Sequence, residues 1–133
     1  MSDARSKRTG EDLETRLGRV LRTGPNTAEV STDYAVRPEQ LEGALLAAVE
    51  RLPRWSFKKG IVSGEDSGLR FVRRTRVFGF KDDVTARVTA LGTEGSRLEA
   101  RSASRVGKSD LGQNPRNLKE LLRALQRVLD PGD

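Results

Sequence analysis

Two stretches of the sequence concentrate carboxylate, hydroxyl and guanidinium groups that could bind or act on a ligand. The first, FGFKDDV, places Asp82 and Asp83 side by side. The second, RSASRVGKSDLGQNPRN, supplies Ser102, Ser104 and Arg105 and then further polar residues. Such groups could form a polar pocket for a small ligand or a hydrolase-like active site. The same groups could instead brace a small sheet through a satisfied hydrogen-bond network.

The amino-acid composition excludes several kinds of chemistry for these groups. The 133-residue chain contains neither cysteine nor histidine. Disulfides, thiolate or imidazole zinc sites and histidine-based catalytic triads are therefore excluded. Any catalysis would rest on Asp, Glu, Lys, Ser or Tyr. We accordingly expect no cofactor, neither zinc nor haem, and favour a non-enzymatic protein over an enzyme.

The chain carries an excess of positive charge, with 25 Lys and Arg residues against 19 Asp and Glu and a formal net charge of +6. A basic domain of this size suggests an anionic polymer or an anionic membrane surface as partner, and another protein is equally compatible. A coding bias towards arginine would give the same excess without any such partner. No segment within residues 1–30 has the apolar length of a signal peptide, so we expect a cytoplasmic protein.

Apolar residues at helical spacing predict three helices. A short amphipathic helix should cover residues 11–22. The second should begin at Pro38, which suits a first helical turn, and the third at Asn114, a good N-cap followed by Pro115. The apolar positions of these helices are Leu13, Leu17, Val20 and Leu21; Leu41, Ala44, Leu45, Ala48, Val49 and Leu52; and Leu118, Leu121, Leu122, Leu125, Val128 and Leu129.

Alternating apolar and polar residues predict four strands. Two should cover residues 55–62 and 69–77 around the turn SGEDSG, and two more should flank the loop GTEGS. Residues 24–37 have no clear period and are predicted to be an extended lead-in. The core-facing strand positions are Trp55, Phe57 and Ile61; Leu69, Phe71 and Val77; Val84, Ala86, Val88 and Ala90; and Leu98, Ala100, Ser102, Ser104 and Val106.

The predicted order of helix, four-stranded antiparallel meander and helix indicates an α+β fold. Both helices would cover one face of the sheet in a two-layer sandwich, with the N-terminal amphipathic helix as an addition. We interpret residues 1–23 as a polar tail carrying that helix, which could dock on the domain or on a partner. Residues 24–130 are interpreted as a single α+β domain.

Strand register decides which polar residues meet. Even-numbered residues face the core in both of the last two strands, so paired residues must have an even sum. A five-residue loop would set Asp83 opposite Arg105, and a three-residue loop would set Asp82 opposite Ser104. In either register Asp83 and Arg105 are close enough for an outer-face ion pair, and Asp82 lies on the core side. A structural contact is the first interpretation for each, and a ligand contact is the alternative.

Basic side chains are predicted to cover the outer face of the sheet. The aromatic residues Trp55, Phe57 and Phe71 point inward, so this face lacks the stacking surface of sheet-platform RNA binders. Non-specific electrostatic binding remains as a hypothesis. The predicted basic face consists of Lys58, Arg70, Arg74, Arg76, Arg87 and Arg101, with Arg105 beside them.

The loop GKSDLGQN precedes a predicted helix N-terminus, where backbone amides can hold an anion. Lys108, Ser109 and the Asn114 amide could add to the binding of such an anion. Asp110 would repel it and is better explained as a turn residue that bonds backbone amides. The candidate polar motif as a whole is Asp82, Asp83, Ser102, Ser104, Arg105, Ser109, Asp110 and Asn114.

These motifs resemble the domain of unknown function family 1499. Its pattern is a Phe-rich strand end with Asp-Asp-Val, then Ser-x-Ser-Arg-x-Gly-x-Ser-Asp-x-Gly-x-Asn before a terminal helix, and the match covers about residues 24–129. The resemblance implies a shared fold and polar constellation without an established reaction. Many relatives are envelope or plastid proteins with a Pro-Asn-Cys-Val-Ser-Ser-like segment, where this chain has Thr27 in place of the cysteine. The matching residues are Phe78, Phe80, Asp82, Asp83 and Val84, then Ser102, Ser104, Arg105, Gly107, Ser109, Asp110, Gly112 and Asn114.

Three functions fit these observations. The leading one is a small non-enzymatic binding or accessory module whose basic sheet face contacts an anionic or protein partner. The second is a small-ligand binder or hydrolase-like enzyme that uses the Asp/Ser/Arg motif as a pocket. The third is a peripheral binder of anionic lipid.

Overall fold

Six antiparallel strands and two helices make up the described part of the protein, whose structure is a computed structural model. It describes residues 19–63, 66–75, 79–105 and 112–131, with the backbone alone at 59–63 and 66–67. The strands are β1 (Leu21–Gly24), β2 (Thr27–Tyr34), β3 (Trp55–Ser63), β4 (Asp66–Arg74), β5 (Lys81–Leu91) and β6 (Gly95–Ser104). The helices are α1 (Pro38–Glu50) and α2 (Gln113–Leu129).

The strand order in the sheet is β1-β2-β6-β5-β4-β3. The mixed α+β fold was predicted correctly, but the four-stranded meander was not, because residues 24–37 contribute strands. β1 and β2 form a hairpin, and β2 pairs along its length with β6, from Thr27 opposite Ala103 to Tyr34 opposite Ser96. This pairing joins strands that are far apart in the chain, so it leaves no local turn signal.

The predicted N-terminal helix is wrong where the structure describes it. Leu21 and Arg22 are the first residues of β1 and pair with Glu29 and Ala28. Residues 11–18, which make up most of the predicted helix, lie outside the described residues. Helical spacing of Leu17, Val20 and Leu21 was therefore misleading at its C-terminal end, where pairing with β2 sets the conformation.

The core lies between one face of the sheet and the two helices. The apolar stripe predicted for α1 is buried from Leu41 to Val49, and the leucines of α2 from Leu118 to Leu125 are fully buried. Burial of one such side chain contributes about 1.5–3 kcal/mol, so this interface is the main source of stability. The sheet contributes Ala28, Val30, Trp55, Phe71, Val84, Ala86, Leu98 and Ala100.

The register of β5 and β6 follows the three-residue loop of the two alternatives. Leu91 pairs with Gly95 across a turn in which Gly92 has a φ of 63°, a conformation that favours glycine. Asp82 consequently lies opposite Ser104, and Arg87 lies opposite Glu99.

A bulge breaks the alternation that was predicted for β3. Phe57 pairs with Phe71, but Lys59 pairs with the next residue, Arg70, so Lys58 is an extra residue in this strand. The predicted alternation of this strand is therefore interrupted after Phe57, and the side chain of Ile61 lies outside the described part of the chain. Phe57 is exposed at this edge of the sheet, although its ring still contacts Phe71 at a centroid distance of 5.8 Å.

Candidate functional site

Asp82 lies on the core side of β5 and is 1% exposed. Its Oδ2 accepts a hydrogen bond of 2.8 Å from the side-chain amide of Asn117 on α2. The same amide lies 3.1 Å from the Oγ of Ser102, which is also fully buried. A carboxylate at this depth is stable only with such donors, so the contact fixes α2 against β5 and β6.

Asn114 was predicted to be the N-cap of the last helix and has a different role. The helix begins one residue earlier, and its N-cap is Gly112, whose φ of 82° lies in the left-handed region. Asn114 is fully buried, and its Oδ1 accepts a hydrogen bond from the hydroxyl of Ser102. Its Nδ2 donates to the Oγ of Ser104 at 2.9 Å and to the carbonyl of Asn26 at 2.8 Å. The residue therefore links α2 to β6 and to the β1–β2 turn.

Asn117 was missed by the sequence analysis, although a signal was present. It stands three residues after Asn114, on the same helix face as Leu118 and Leu121, where a polar residue needs a buried partner. Its Oδ1 accepts a hydrogen bond of 2.7 Å from Gln113. Asp82, Ser102, Asn114 and Asn117 thus form one buried cluster, which we call the polar brace.

Asp83 points to the opposite face of the sheet from its neighbour. Arg105 donates two hydrogen bonds of 2.9 Å to its carboxylate, and Arg70 lies 4.0 Å away. The hydrogen bonds from Arg105 hold the pKa of Asp83 below its ordinary value. Asp82 and Asp83 therefore do not form a carboxylate pair. Ser109 and Asp110 of the predicted motif lie outside the described residues.

The outer sheet face is an array of ion pairs rather than a uniformly basic surface. Arg87 pairs with Glu99 at 3.6 Å, and Arg101 lies 3.5 Å from Glu29. Arg97 donates to Asp33 at 2.8 Å. The predicted basic face lacked Glu29 and Asp33, because the strand that carries them, β2, was not predicted. Lys58 and Arg74 are exposed, and Arg76 lies outside the described residues.

A shallow groove of about 650 Å³ crosses this outer face. Its floor is formed by backbone and by the paired side chains of the central strands, and Leu21 of β1 lies at one side. Both charge signs line it, so its shape and charge do not select one class of ligand.

A second groove, of about 530 Å³, lies beside the exposed side of α2 and has a different character. Six cationic side chains line it, and Glu120 is the only carboxylate among its described lining residues. We call it the α2 groove. Its cations are Arg54, Arg73, Arg116, Lys119, Arg123 and Arg127, and its other lining residues are Leu52 and Gln113.

Four of these cations form a stripe along α2. Arg116, Lys119, Arg123 and Arg127 follow one another at spacings of three, four and four residues, which places them on one side of the helix. The leucine stripe of the same helix is buried in the core, so packing holds the cations toward solvent. The spacing of these four cations is present in the sequence, but the predicted basic surface included only strand residues and so missed this stripe.

Arg73 and Glu120 anchor the wall of the α2 groove. Glu120 Oε1 accepts hydrogen bonds from the indole Nε1 of Trp55 at 2.9 Å and from the Nε of Arg73 at 3.1 Å. The Arg73 side chain is only 12% exposed and also donates to the Arg74 carbonyl. The Glu120 carboxylate therefore already accepts from two donors, and the indole of Trp55 directly contacts a lining residue.

Two further properties concern the described residues as a group. None of the helices in residues 19–131 that the structure describes is long and apolar enough to cross a membrane. Within the same ranges, no three acidic side chains come together in a cluster that could hold a metal ion.

Solved structures share this fold at low sequence identity. Protein MLL2253 from Mesorhizobium loti is 18% identical, with a TM-score of 0.56 over 80% of this chain and 98% of that chain. A conserved protein of unknown function from Enterococcus faecalis is 9% identical, with a TM-score of 0.53 over 90% and 82%. CalU16 from Micromonospora echinospora is 16% identical, with a TM-score of 0.52 over 78% and 74%. These likenesses concern the fold alone.

The sequence comparisons add the family. None of the curated proteins matches the chain significantly. The family described as "Protein of unknown function (DUF1499)" matches residues 9–125, which include both polar motifs and begin earlier than the segment 24–129 that the motifs alone suggested. The match covers most of the 133 residues. The chain therefore belongs to the DUF1499 family, as its motifs predicted.

Proposed function

We propose that this protein is a non-enzymatic binding module that holds an anionic partner in the α2 groove. The observation that carries the proposal is the meeting of six cations and one carboxylate around a single concave surface. A cleft lined by one sign of charge beside a low-dielectric protein interior concentrates field and attracts the opposite charge. The sheet face predicted earlier is a weaker alternative site.

The ion pairs explain why the sheet face is the weaker site. On that face, arginines lie 2.8–3.6 Å from carboxylates of neighbouring strands. The fields of two opposite charges this close largely cancel outside the pair. Salt screens what remains over a Debye length of about 8 Å at physiological ionic strength. Glu120, the single carboxylate among the described lining residues of the α2 groove, is already bonded to Trp55 and Arg73. Six cations for one carboxylate among the described lining residues give the groove a larger positive excess than the sheet face, where these arginines are matched one to one with carboxylates.

An enzymatic role for the Asp/Ser/Arg motif has less support. Asp82, Ser102 and Asn114 are buried and bonded within the polar brace, and none of them is a lining residue of either groove. Asp83 and Arg105 are turned away from them and bonded to each other. This arrangement supports a structural role for the motif.

The test is binding of polyanions at low salt, followed through the fluorescence of the only tryptophan. Trp55 contacts Glu120 in the groove wall, so occupation of the groove should change its emission. The double variant Arg123→Gln/Arg127→Gln removes two groove cations. The matched control Arg87→Gln/Arg101→Gln removes the same charge from the sheet face.

We expect roughly tenfold weaker binding for the groove variant and a much smaller change for the control. Equal losses in both double variants would mean that only net charge matters and would refute a site at α2. If polyphosphate, single-stranded DNA, polyglutamate and anionic vesicles all fail to bind, the proposed function itself is wrong.

A further inference from the structure

We infer that the anionic partner is a linear chain of phosphate groups, contacted through its backbone along α2. This inference rests on the proposed function and names the class of ligand. The first ground is the length of the cationic stripe. From Arg116 to Arg127 the helix rises about 16 Å, at 1.5 Å per residue. A compact anion could contact one or two of these side chains, whereas an extended chain can contact all four.

The second ground is the type of cation. Five of the six cations are arginines, and Lys119 is the exception. The guanidinium group presents a planar fork of donors that matches the oxygen atoms of phosphate or carboxylate in pairs. Successive arginines on one helix face thus suit a ligand with an oxyanion at every repeat. This ground selects a polymeric oxyanion but does not separate phosphate from carboxylate.

The small apolar surface of the groove favours a phosphate chain over a chain of carboxylates. An acidic polypeptide would normally be held by aromatic or aliphatic anchors near the centre of its interface. Among the described lining residues only Leu52 is apolar, and no aromatic residue lines the groove. A phosphate chain needs no such anchor, because charge and hydrogen bonds supply most of its affinity.

The same surface argues against a lipid bilayer. Interfacial helices insert an apolar face into the bilayer beside their charges. The exposed large hydrophobic residues of the described chain are Leu21, Phe57 and Phe80, and none of them lines the α2 groove. The groove is also concave, whereas a bilayer surface is flat on this scale.

The absence of a stacking surface among the described lining residues predicts indifference to base sequence. Trp55 is 7% exposed, and its indole N–H is engaged by Glu120. Bases bound by single-strand binding proteins stack on exposed aromatic faces. The backbone of a nucleic acid and inorganic polyphosphate are therefore two sources of the same chemistry, and the experiment must separate them.

The experiment compares four probes with the full chain at one ionic strength. They are inorganic polyphosphate, single-stranded DNA and polyglutamate of matched charge, and vesicles that contain anionic lipid. We expect both phosphate chains to bind at least tenfold more tightly than the other two. DNAs of different base composition should agree within about twofold. Tighter binding of DNA than of polyphosphate would identify a nucleic acid as the source, and the reverse order would identify polyphosphate.

Salt dependence gives an independent count of the contacts. The slope of log K against log salt concentration on single-stranded DNA is negative. With six cations its magnitude should not exceed about 4. Arg123→Gln should reduce the magnitude of this slope by about 0.7, and Lys119→Arg, which keeps the charge, should leave it unchanged. Binding of polyglutamate or vesicles as tight as that of the phosphate chains would overturn the inference while the anion-binding function stands. Failure of all four probes would overturn both.

Discussion

Substitution of Asn117 by alanine tests whether the polar brace holds the fold together. The amide of Asn117 donates to the carboxylate of Asp82 at 2.8 Å and lies 3.1 Å from the hydroxyl of Ser102. Its oxygen accepts from Gln113 at 2.7 Å. Truncation leaves a buried carboxylate without one of its donors, and no water can replace that donor without entering the core.

The expected loss follows from these contacts. A net hydrogen bond to a charged group contributes about 1.5–3 kcal/mol, and one between neutral groups contributes about 1 kcal/mol. Loss of the Asp82 and Ser102 contacts should therefore make Asn117→Ala lower the free energy of unfolding by about 2.5–4 kcal/mol. A domain of this size has about 5–15 kcal/mol in total, so the variant should fold and its loss should be measurable.

Urea unfolding provides the measurement, with Gln126→Ala as the control on the same helix. Gln126 is only partly buried and lies outside the brace, so its loss should stay within about 0.5 kcal/mol. Equal m-values for all variants would show that the unfolding transitions are comparable. Asp83→Ala, which removes an exposed partner of Arg105, should lose less than half as much as Asn117→Ala.

A double-mutant cycle with Asp82→Ala isolates the central contact. Once the carboxylate is absent, Asn117→Ala should cost about 2 kcal/mol less than in the wild type. Additivity within about 0.5 kcal/mol, or a loss below about 1 kcal/mol for Asn117→Ala alone, would refute the brace. Either outcome would return the Asp/Ser/Arg motif to consideration as a ligand site kept at a cost to stability.

Two further predictions concern single positions elsewhere in the fold. Gly43→Ala, in α1 with nothing within 4 Å of the added Cβ, should raise the free energy of unfolding by about 1 kcal/mol. Gly68→Ala should lower the free energy of unfolding by about 1–3 kcal/mol, because the added Cβ would lie 2.7 Å from the backbone oxygen of Ala86. Urea unfolding that shows the same change for Gly43→Ala and Gly68→Ala would contradict the close approach of β4 and β5 at Gly68. Burial raises the pKa of Tyr34, the only tyrosine, to about 12. The contribution of the neutral Tyr34 side chain to stability is therefore complete below about pH 10 and lost as the pH rises towards 12. A midpoint of phenolate absorbance near pH 10 in the folded protein would contradict the raised pKa.

The sequence predicted what depends on local periodicity. Buried positions of α1 and α2 followed from the spacing of their leucines and alanines, and parity placed Asp82 and Asp83 on opposite faces. Parity could not choose between two loop lengths, because both satisfy the even sum. The left-handed Gly92 and the close pairing of Leu91 with Gly95 settle that choice in three dimensions.

Long-range pairing was the part that the sequence could not supply. β2 carries Glu29, Ser31 and Asp33 on its outer face, and its buried apolar residues are the small Ala28 and Val30, with Tyr34 partly buried at its end. An alternation this weak does not distinguish a strand from a loop in the sequence. The strand becomes evident only from its pairing with β6. Missing this strand also removed its carboxylates from the predicted outer face, which made the sheet look more basic than it is.

The distribution of charge in this chain is thus decided by topology more than by composition. A net charge of +6 fixes the excess of cations but not their location. Antiparallel pairing brings acidic residues of β2 and β6 across from arginines, so most charges of the outer face are neutralised by ion pairs within the sheet. A helix has no such partner strand, and α2 contains one acidic residue, Glu120, among its four exposed-side cations. An excess of cations over carboxylates on one side of a helix therefore keeps that side positive, and this criterion can be applied to a sequence before any fold is known.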